Sequence, residues 1–295
     1  MLRPMPDQTL TVVVPAYNEE ASLPRFLPQL LDCCEKNDWQ LVVVDDGSRD
    51  GTAAVLDGFA EHPRMRVVRH KVNRGYGGAI KSGIRAVDTA YVLTVDGDGQ
   101  HYPEDLEALF HDLCERDADM VVGSRKGTSA SGWYRDLGKS LIRFFARILV
   151  DQLNVYDINS GLKVYDAALA KRYAHLCPDS MAFSDVITLV FISQRHRVCE
   201  RGIRVRPRIA GESTITTRTA VETVREIVNI VVLFNPMRIF LPVSLVSLVL
   251  GVAWGLPIVL DGRGVSVGAM LAIVTGIVFF FLGLLAEQIS LIRRS

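Results

Sequence analysis

The chain has 295 residues, room for one large α/β domain and an appendage. Its 33 basic and 33 acidic residues cancel, so the charge balance implies no polyelectrolyte partner, nucleic acid included. A hydrophobic content of 49% and a mean hydropathy of +0.21 are high for a soluble domain, and the excess lies toward the C-terminus.

The N-terminus has no signal-peptide pattern. After Arg3 the first apolar run is Val12-Val13-Val14, and Pro15 ends it, so the first domain is expected to stay in the cytoplasm. Short β-branched runs then alternate with helical stretches. Strands are expected at Thr9–Val14, Leu41–Asp45, Arg66–Arg69, Tyr91–Val95 and Met120–Gly123. Helices are expected near 19–36, 50–61, 77–87 and 103–116. This alternation argues for a mostly parallel sheet with helices on both faces, and in such sheets ligands bind at the carboxyl ends of the strands.

Polar clusters stand at those ends. Asp96-Gly97-Asp98-Gly99-Gln100 follows the apolar strand Tyr91–Val95 directly. Asp96, Asp98 and Gln100 offer oxygens at alternate positions that could converge on Mg²⁺ or Mn²⁺; a solvated acidic turn is the plainer alternative. Asp45-Asp46-Gly47-Ser48 also ends a strand. Helix capping explains Ser48 or Asp50 there, but not two adjacent acids, one of which could accept from a base N–H or a ribose hydroxyl. Asn73-Arg74-Gly75-Tyr76-Gly77-Gly78 is a glycine-rich turn that departs from GxGxxG. Its glycines suit either close approach of backbone to a ligand or a plain tight turn.

Further along, a helix over 138–153 would carry Lys139, Arg143 and Arg147 as a narrow basic stripe beside a broad oily face that includes Phe144 and Phe145. That pattern fits a lipid surface or an ordinary core helix. Segment 220–234 repeats the theme. Arg204, Arg206 and Arg208 are expected on one face of a strand. Ile239–Leu260 and Val265–Ala286 carry no charge and are long enough to cross a bilayer. Asp261-Gly262-Arg263-Gly264 joins them into a hairpin, and Arg238, Arg293 and Arg294 place both of its ends on the cytoplasmic side. The five cysteines, at 33, 34, 114, 177 and 199, show no metal or disulfide spacing and suit reduced thiols.

In this order the motifs resemble family 2 glycosyltransferases of the GT-A type: Pro15-Ala16-Tyr17-Asn18-Glu19-Glu20, Asp45-Asp46-Gly47-Ser48, Asp96 through Pro103, and Gly123-Ser124-Arg125. Asp157-Ile158-Asn159-Ser160-Gly161-Leu162-Lys163, Gly211-Glu212-Ser213 and the ending Leu284-Leu285-Ala286-Glu287-Gln288 are similar to the branch that makes dolichyl- or polyprenyl-phosphate sugars.

The resemblance implies a GT-A Rossmann-like domain over 1–218, a juxtamembrane amphipathic helix over 219–235 and a transmembrane hairpin over 236–295. It implies inverting, metal-dependent transfer from a UDP- or GDP-linked sugar to undecaprenyl or dolichyl phosphate, in a multi-pass protein of the inner membrane that could form a homo-oligomer. By position, Pro15, Tyr17, Glu19, Asp45, Asp46, Asn73, Gly75 and Asp96 would hold the nucleotide sugar. Asp96, Asp98 and Gln100 would hold the metal. Arg125, Arg135 and Arg208 would hold phosphates. Asp98, Arg125 and Asp185 would carry the chemistry, with Asp185 orienting a sugar hydroxyl, acting as base or serving only as a helix N-cap. Thr214 stands where the family often has lysine. A processive polysaccharide synthase and an inactive nucleotide-sugar sensor are the alternatives; Gln194-Arg195-His196-Arg197 lacks the tryptophan that such synthases show.

Overall fold

The computed structural model describes residues 9–125, 155–206 and 236–294, which fall into two units. The first unit is built on a seven-stranded sheet. Its strands are β1 (Leu10–Ala16), β2 (Gln40–Asp45), β3 (Met65–Arg69), β4 (Tyr91–Thr94), β5 (Met120–Ser124), β6 (Lys163–Asp166) and β7 (Val198–Gly202). Their order is β3-β2-β1-β4-β6-β5-β7. All run parallel except β6, which is antiparallel to both β4 and β5. The first five strands lie where the β-branched runs place them. The insertion of β6 between β4 and β5 was not expected.

The helices are α1 (Leu23–Asn37), α2 (Thr52–Asp57), α3 (Tyr76–Arg85), α4 (Pro103–Glu115), α5 (Ala167–Tyr173) and α6 (Phe183–Ser193). Alternation along β1 divides the core. Leu10, Val12 and Val14 join Phe26, Leu27 and Leu30 of α1 and Leu106, Leu109 and Leu113 of α4 in one hydrophobic cluster. Val13 and Val44 face α3 on the other side. Proline at the start of α1 and α4 suits the first turn, where no N–H partner exists to lose. With both faces covered, the polar strand ends of the parallel part gather on one rim.

The second unit is a helical hairpin, α7 (Met237–Leu260) and α8 (Val267–Arg294), each long and apolar enough to cross a membrane. Outward-facing residues such as Val249, Leu250, Trp254, Leu271 and Phe281 are exposed and apolar. Inside the hairpin the Ser244 hydroxyl donates to the Gly276 carbonyl at 2.7 Å. A Cβ at Gly276 would meet Leu248 Cγ at 2.7 Å, so the helices approach closely there, as small residues allow in lipid.

Two expectations need correction. β7 ends at Gly202, so Arg204 and Arg206 are not on a strand face; they turn onto Tyr102 instead. Asp185 is not a helix N-cap: that position belongs to Ala182, and Asp185 sits in the first turn. The helix expected over 138–153, the amphipathic segment 219–235, Arg135, Arg208 and Gly211-Glu212-Ser213 lie outside the described residues.

Candidate functional site

The rim is built from loops that bond to one another. After β1, Asn18 takes a left-handed backbone with φ of 56°. Its N–H donates to the Ser48 hydroxyl at 3.1 Å, and its Oδ1 accepts from the Arg49 N–H at 2.9 Å. The Glu19 N–H donates to Thr52 Oγ1 at 2.9 Å, and Glu20 accepts from the Gly51 N–H at 2.9 Å. The loops after β1 and β2 thus form one ledge. Tyr17 is exposed on it, and Asp45 is buried at its back, accepting the Ser48 N–H at 3.0 Å.

Asp46 has a different job from Asp45. Its two oxygens accept the Arg74 N–H at 2.9 Å and the Gly75 N–H at 2.8 Å, and His70 Nδ1 lies 2.6 Å away. His70 Nε2 is 2.9 Å from the Ser82 hydroxyl. The second acid of the pair is therefore committed to folding the loop that contains Asn73 and Gly75. Asn73 Oδ1 accepts the Gly75 N–H as well, at 2.8 Å. The glycines of this turn make way for the chain's own backbone. A Cβ at Gly75, where φ is 86°, would lie 2.5 Å from the Asp179 carbonyl oxygen. The same carbonyl accepts the Gly77 N–H at 2.9 Å, and Lys81 pairs with the Asp179 carboxylate at 2.7 Å.

The Asp96–Gln100 loop leaves β4 next to β1: a Cβ on Gly97 would lie 3.0 Å from the Pro15 carbonyl oxygen. Asp98 is 6% exposed, and its Oδ1 accepts the Gln100 N–H at 3.1 Å. Asp96 Oδ1 accepts the Tyr76 hydroxyl at 2.9 Å. Burial, then the Asp96 charge, holds the Tyr76 phenol well above its usual range, so it stays a donor. Burial pushes the His101 pKa down beside the same acids. Two carboxylates in a strand-end loop fit Mg²⁺ or Mn²⁺, which use one or two carboxylates and complete their shell with substrate phosphates. The cluster His111, Asp112 and Glu115 also lies within ligand distance of one another. There the buried Asp112 already pairs with Arg116 and Arg201, and His111 with Glu115, so ion pairing within the chain accounts for it.

Two cations belong to the same unit, Arg125 partly exposed and Lys163 buried. Arg125 follows β5 and grips Asp157 through Nε at 2.8 Å and Nη2 at 2.9 Å, with Asn159 Oδ1 at 2.6 Å. These bonds outweigh burial and keep the Asp157 carboxylate below its usual range, and they raise the Arg125 guanidinium. Lys163, at the start of β6, is 1% exposed. Its ammonium donates to the carbonyls of Ile158 at 3.0 Å and Ser184 at 2.5 Å. Burial lowers it to about 7, against the attraction of Asp185 and Asp157. Burial likewise raises Asp185 to about 6, against Lys163. Among the described residues, the buried Asp185 Oδ1 has no hydrogen-bond partner.

Asp45, Asp96, Asp98, Arg125 and Asp185 are thus carried by loops and a helix that β1, β2, β4, β5 and β6 arrange on one unit. Lys163 and Tyr76 were missed as individual site residues. Beyond its place at the end of the Asp157–Lys163 motif, the sequence signal for Lys163 was a lysine set between the apolar Leu162 and Val164, which reads as a buried charge with a purpose.

Comparisons with known proteins agree with this geometry. Residues 11–174 match the Glycosyl transferase family 2 model, and residues 235–292 match the GtrB C-terminal hairpin. The undecaprenyl-phosphate 4-deoxy-4-formamido-L-arabinose transferase of Sodalis glossinidius is 28% identical over 98% of this chain and 91% of its own length. The dolichyl-phosphate beta-glucosyltransferase of Dictyostelium discoideum is 28% identical over 77% of this chain and 75% of its own. Among solved structures, glucosyl-3-phosphoglycerate synthase of Mycobacterium tuberculosis, in complex with Mg²⁺ and UDP, shares the fold with a TM-score of 0.58 at 19% identity, covering 77% of this chain and 79% of that one. With a family 2 GT-A domain followed by a GtrB-type hairpin, the chain belongs to the family 2 glycosyltransferases.

Proposed function

We propose that the enzyme transfers a sugar from a nucleoside-diphosphate donor to a polyprenyl phosphate in one inverting displacement, at the cytoplasmic face of the membrane. The observation that carries this reading is the pairing of two functions on one rim. The carboxylates Asp96 and Asp98 suit a cation-bridged diphosphate, and the fixed guanidinium of Arg125 suits a second phosphate. The hairpin and the named activities of the relatives favour a lipid acceptor.

In this reading Pro15, Tyr17, Glu19 and Asp45 form the nucleoside ledge. Asp46, Asn73 and Gly75 support it from below through the bonds of the 73–75 turn. Asp96, Asp98 and Gln100 would hold Mg²⁺ or Mn²⁺, and such an ion would supply Lewis-acid stabilisation of the departing diphosphate. Arg125, with Arg135 and Arg208, holds donor and acceptor phosphates. The acceptor is already anionic near neutral pH, so positioning and electrostatics carry more of the barrier than a strong base. Asp185, with its unpartnered oxygen, orients a sugar hydroxyl. Its carboxyl is anionic above about pH 6 and can then accept.

A processive synthase is disfavoured by the segment Gln194–Arg197. Gln194 ends α6, His196 Nε2 lies 2.9 Å from the Tyr173 hydroxyl, and the Arg197 N–H donates to Asp119 at 2.8 Å. These residues build the turn into β7. The test is to incubate membranes containing the protein with radiolabelled UDP- and GDP-sugars and polyprenyl phosphate. Label extractable as a monosaccharyl lipid is expected. Label in high polymer, or none in lipid across the donor panel, overturns the reading.

A further inference from the structure

We propose that Tyr102 and Arg206 form a latch that positions the Asp96–Gln100 loop, with the Gln100 amide as its catch. The inference rests on the reading of that loop as the cation and diphosphate site. Gln100 is tied to Arg206 twice. The Arg206 N–H donates to the Gln100 carbonyl at 2.9 Å, and Gln100 Nε2 donates to the Arg206 carbonyl at 3.2 Å. The Arg206 guanidinium lies over the Tyr102 ring, with Cζ 3.9 Å from the centroid. Arg204 Cζ lies 4.6 Å from the same centroid.

The segment is held from two further sides. Arg206 Nη1 donates to Gln29 Oε1 of α1 at 2.9 Å. The Arg204 N–H donates to Asp105 Oδ2 at 3.0 Å, in the first turn of α4. A short stretch after β7 is thus fastened to α1, to α4 and to the loop between β4 and α4. One aromatic ring receives two guanidinium groups, which a π-system favours and an aliphatic side chain would not.

The choice of glutamine follows from this arrangement. A carbonyl can only accept, so the amide end that faces Arg206 is the NH₂, and Oε1 is the end left for other partners. A carboxylate would be the stronger ligand for a hard cation. What the amide alone offers is a donor for Arg206. Without that carbonyl the amide is free to turn over and present its NH₂, which binds no cation. Gln100 therefore acts first as a positioning residue, and Tyr102 and Arg206 keep its partner in place.

The test uses the full-length protein in detergent, with Mn²⁺ binding followed by the spin-resonance signal of free Mn²⁺ in the presence of UDP or GDP. Melting curves are recorded alongside. Tyr102→Leu, Arg206→Met and Gln100→Glu should each weaken Mn²⁺ binding roughly five- to tenfold, the scale of losing one cation–π contact or one buried hydrogen bond. Tyr102→Phe keeps the ring and should bind within about twofold of the parent protein. Gln100→Glu is nearly isosteric, so it stays informative if the larger changes cost folding. Mn²⁺ binding by Gln100→Glu equal to or tighter than the parent would overturn the latch, as would full binding by both Tyr102→Leu and Arg206→Met. Asp98→Ala separates the two readings. If it still binds Mn²⁺ as the parent does, the cation site itself is misplaced. If it loses binding while the latch variants keep theirs, only the latch fails.

Discussion

Gly161 lies directly against the carboxylate of Asp96: a Cβ at position 161 would sit 2.6 Å from Asp96 Cγ and overlap its oxygens. The segment leading into β6 can reach the acidic loop only because this residue has no side chain. Thr94 Oγ1 locks the approach by donating to the Gly161 carbonyl at 2.9 Å. Gly161→Ala should therefore push Asp96 off the Tyr76 hydroxyl. We expect transfer to fall at least about tenfold, with a stability loss of about 1–3 kcal/mol from overpacking. Initial rates and a thermal melt on the same preparation measure both. Parent-like rates would mean that Asp96 tolerates displacement.

Lys163 and Asp185 give a pH signature. Burial raises the Asp185 carboxyl to about 6, and Lys163 partly offsets that. Lys163→Met removes the offset, so the carboxyl rises further. A carboxyl raised on folding favours the fold fully below its unfolded value near 3.8, and that contribution is lost as pH climbs through the folded value. The variant should lose about 3 kcal/mol or more at pH 8 and distinctly less at pH 5. Denaturant melts at the two pH values decide it; equal losses would exclude Asp185 as the cause.

Asp46→Asn tests the division of labour at the end of β2. Asparagine offers one acceptor oxygen where the carboxylate uses two, for the N–H groups of Arg74 and Gly75. Either the Arg74 N–H loses its acceptor or the Gly75 N–H is left to Asn73 Oδ1 alone, costing about 1 kcal/mol at this part-buried turn. Nucleotide affinity should weaken less than in Asp45→Asn, since Asp46 supports the ledge from inside. Calorimetric titration with UDP and GDP ranks the two. A stronger effect at position 46 would make it the contact residue.

Asp98→Ala should abolish transfer while the protein stays folded, because Asp98 sits in the loop after β4 and is not part of the hydrophobic cluster. Chelation of the parent enzyme should do the same, and Mg²⁺ or Mn²⁺ should restore it. Full transfer in excess EDTA would remove the metal from the reaction.

The hairpin predicts opposite sides for its connector and its ends. A cysteine placed at Gly262 should react with a membrane-impermeant reagent added outside the cell, and a reporter fused after Ser295 should read cytoplasmic. An external signal from the C-terminal reporter would overturn the topology.

The parallel part of the sheet was legible because its information is local. Val12–Val14 and Leu41–Val44 are short, β-branched and apolar, and each is closed by turn-forming polar residues. Asp96 and Asp98 were legible for the same reason, since a strand end delivers two alternate carboxylates to one loop. The hairpin needed only the length of two uncharged runs.

Tertiary structure alone decided the rest, because those features join residues far apart in the chain. The pairing of β6 between β4 and β5 buries Lys163, and no local pattern states which strands it will separate. Asp45 and Asp46 are chemically identical neighbours. Backbone direction at the strand end has one accept the Ser48 N–H of its own turn and aims the other at the 74–75 amides. Gly75 and Gly77 read equally well as a ligand cradle until Asp179 is seen against them. Arg204 and Arg206 read as one face of a strand until the chain leaves the sheet at Gly202 and their guanidinium groups settle on Tyr102. Periodicity in a sequence specifies which face of an element is apolar. Which distant group meets a polar side chain is set by the packing of the whole sheet.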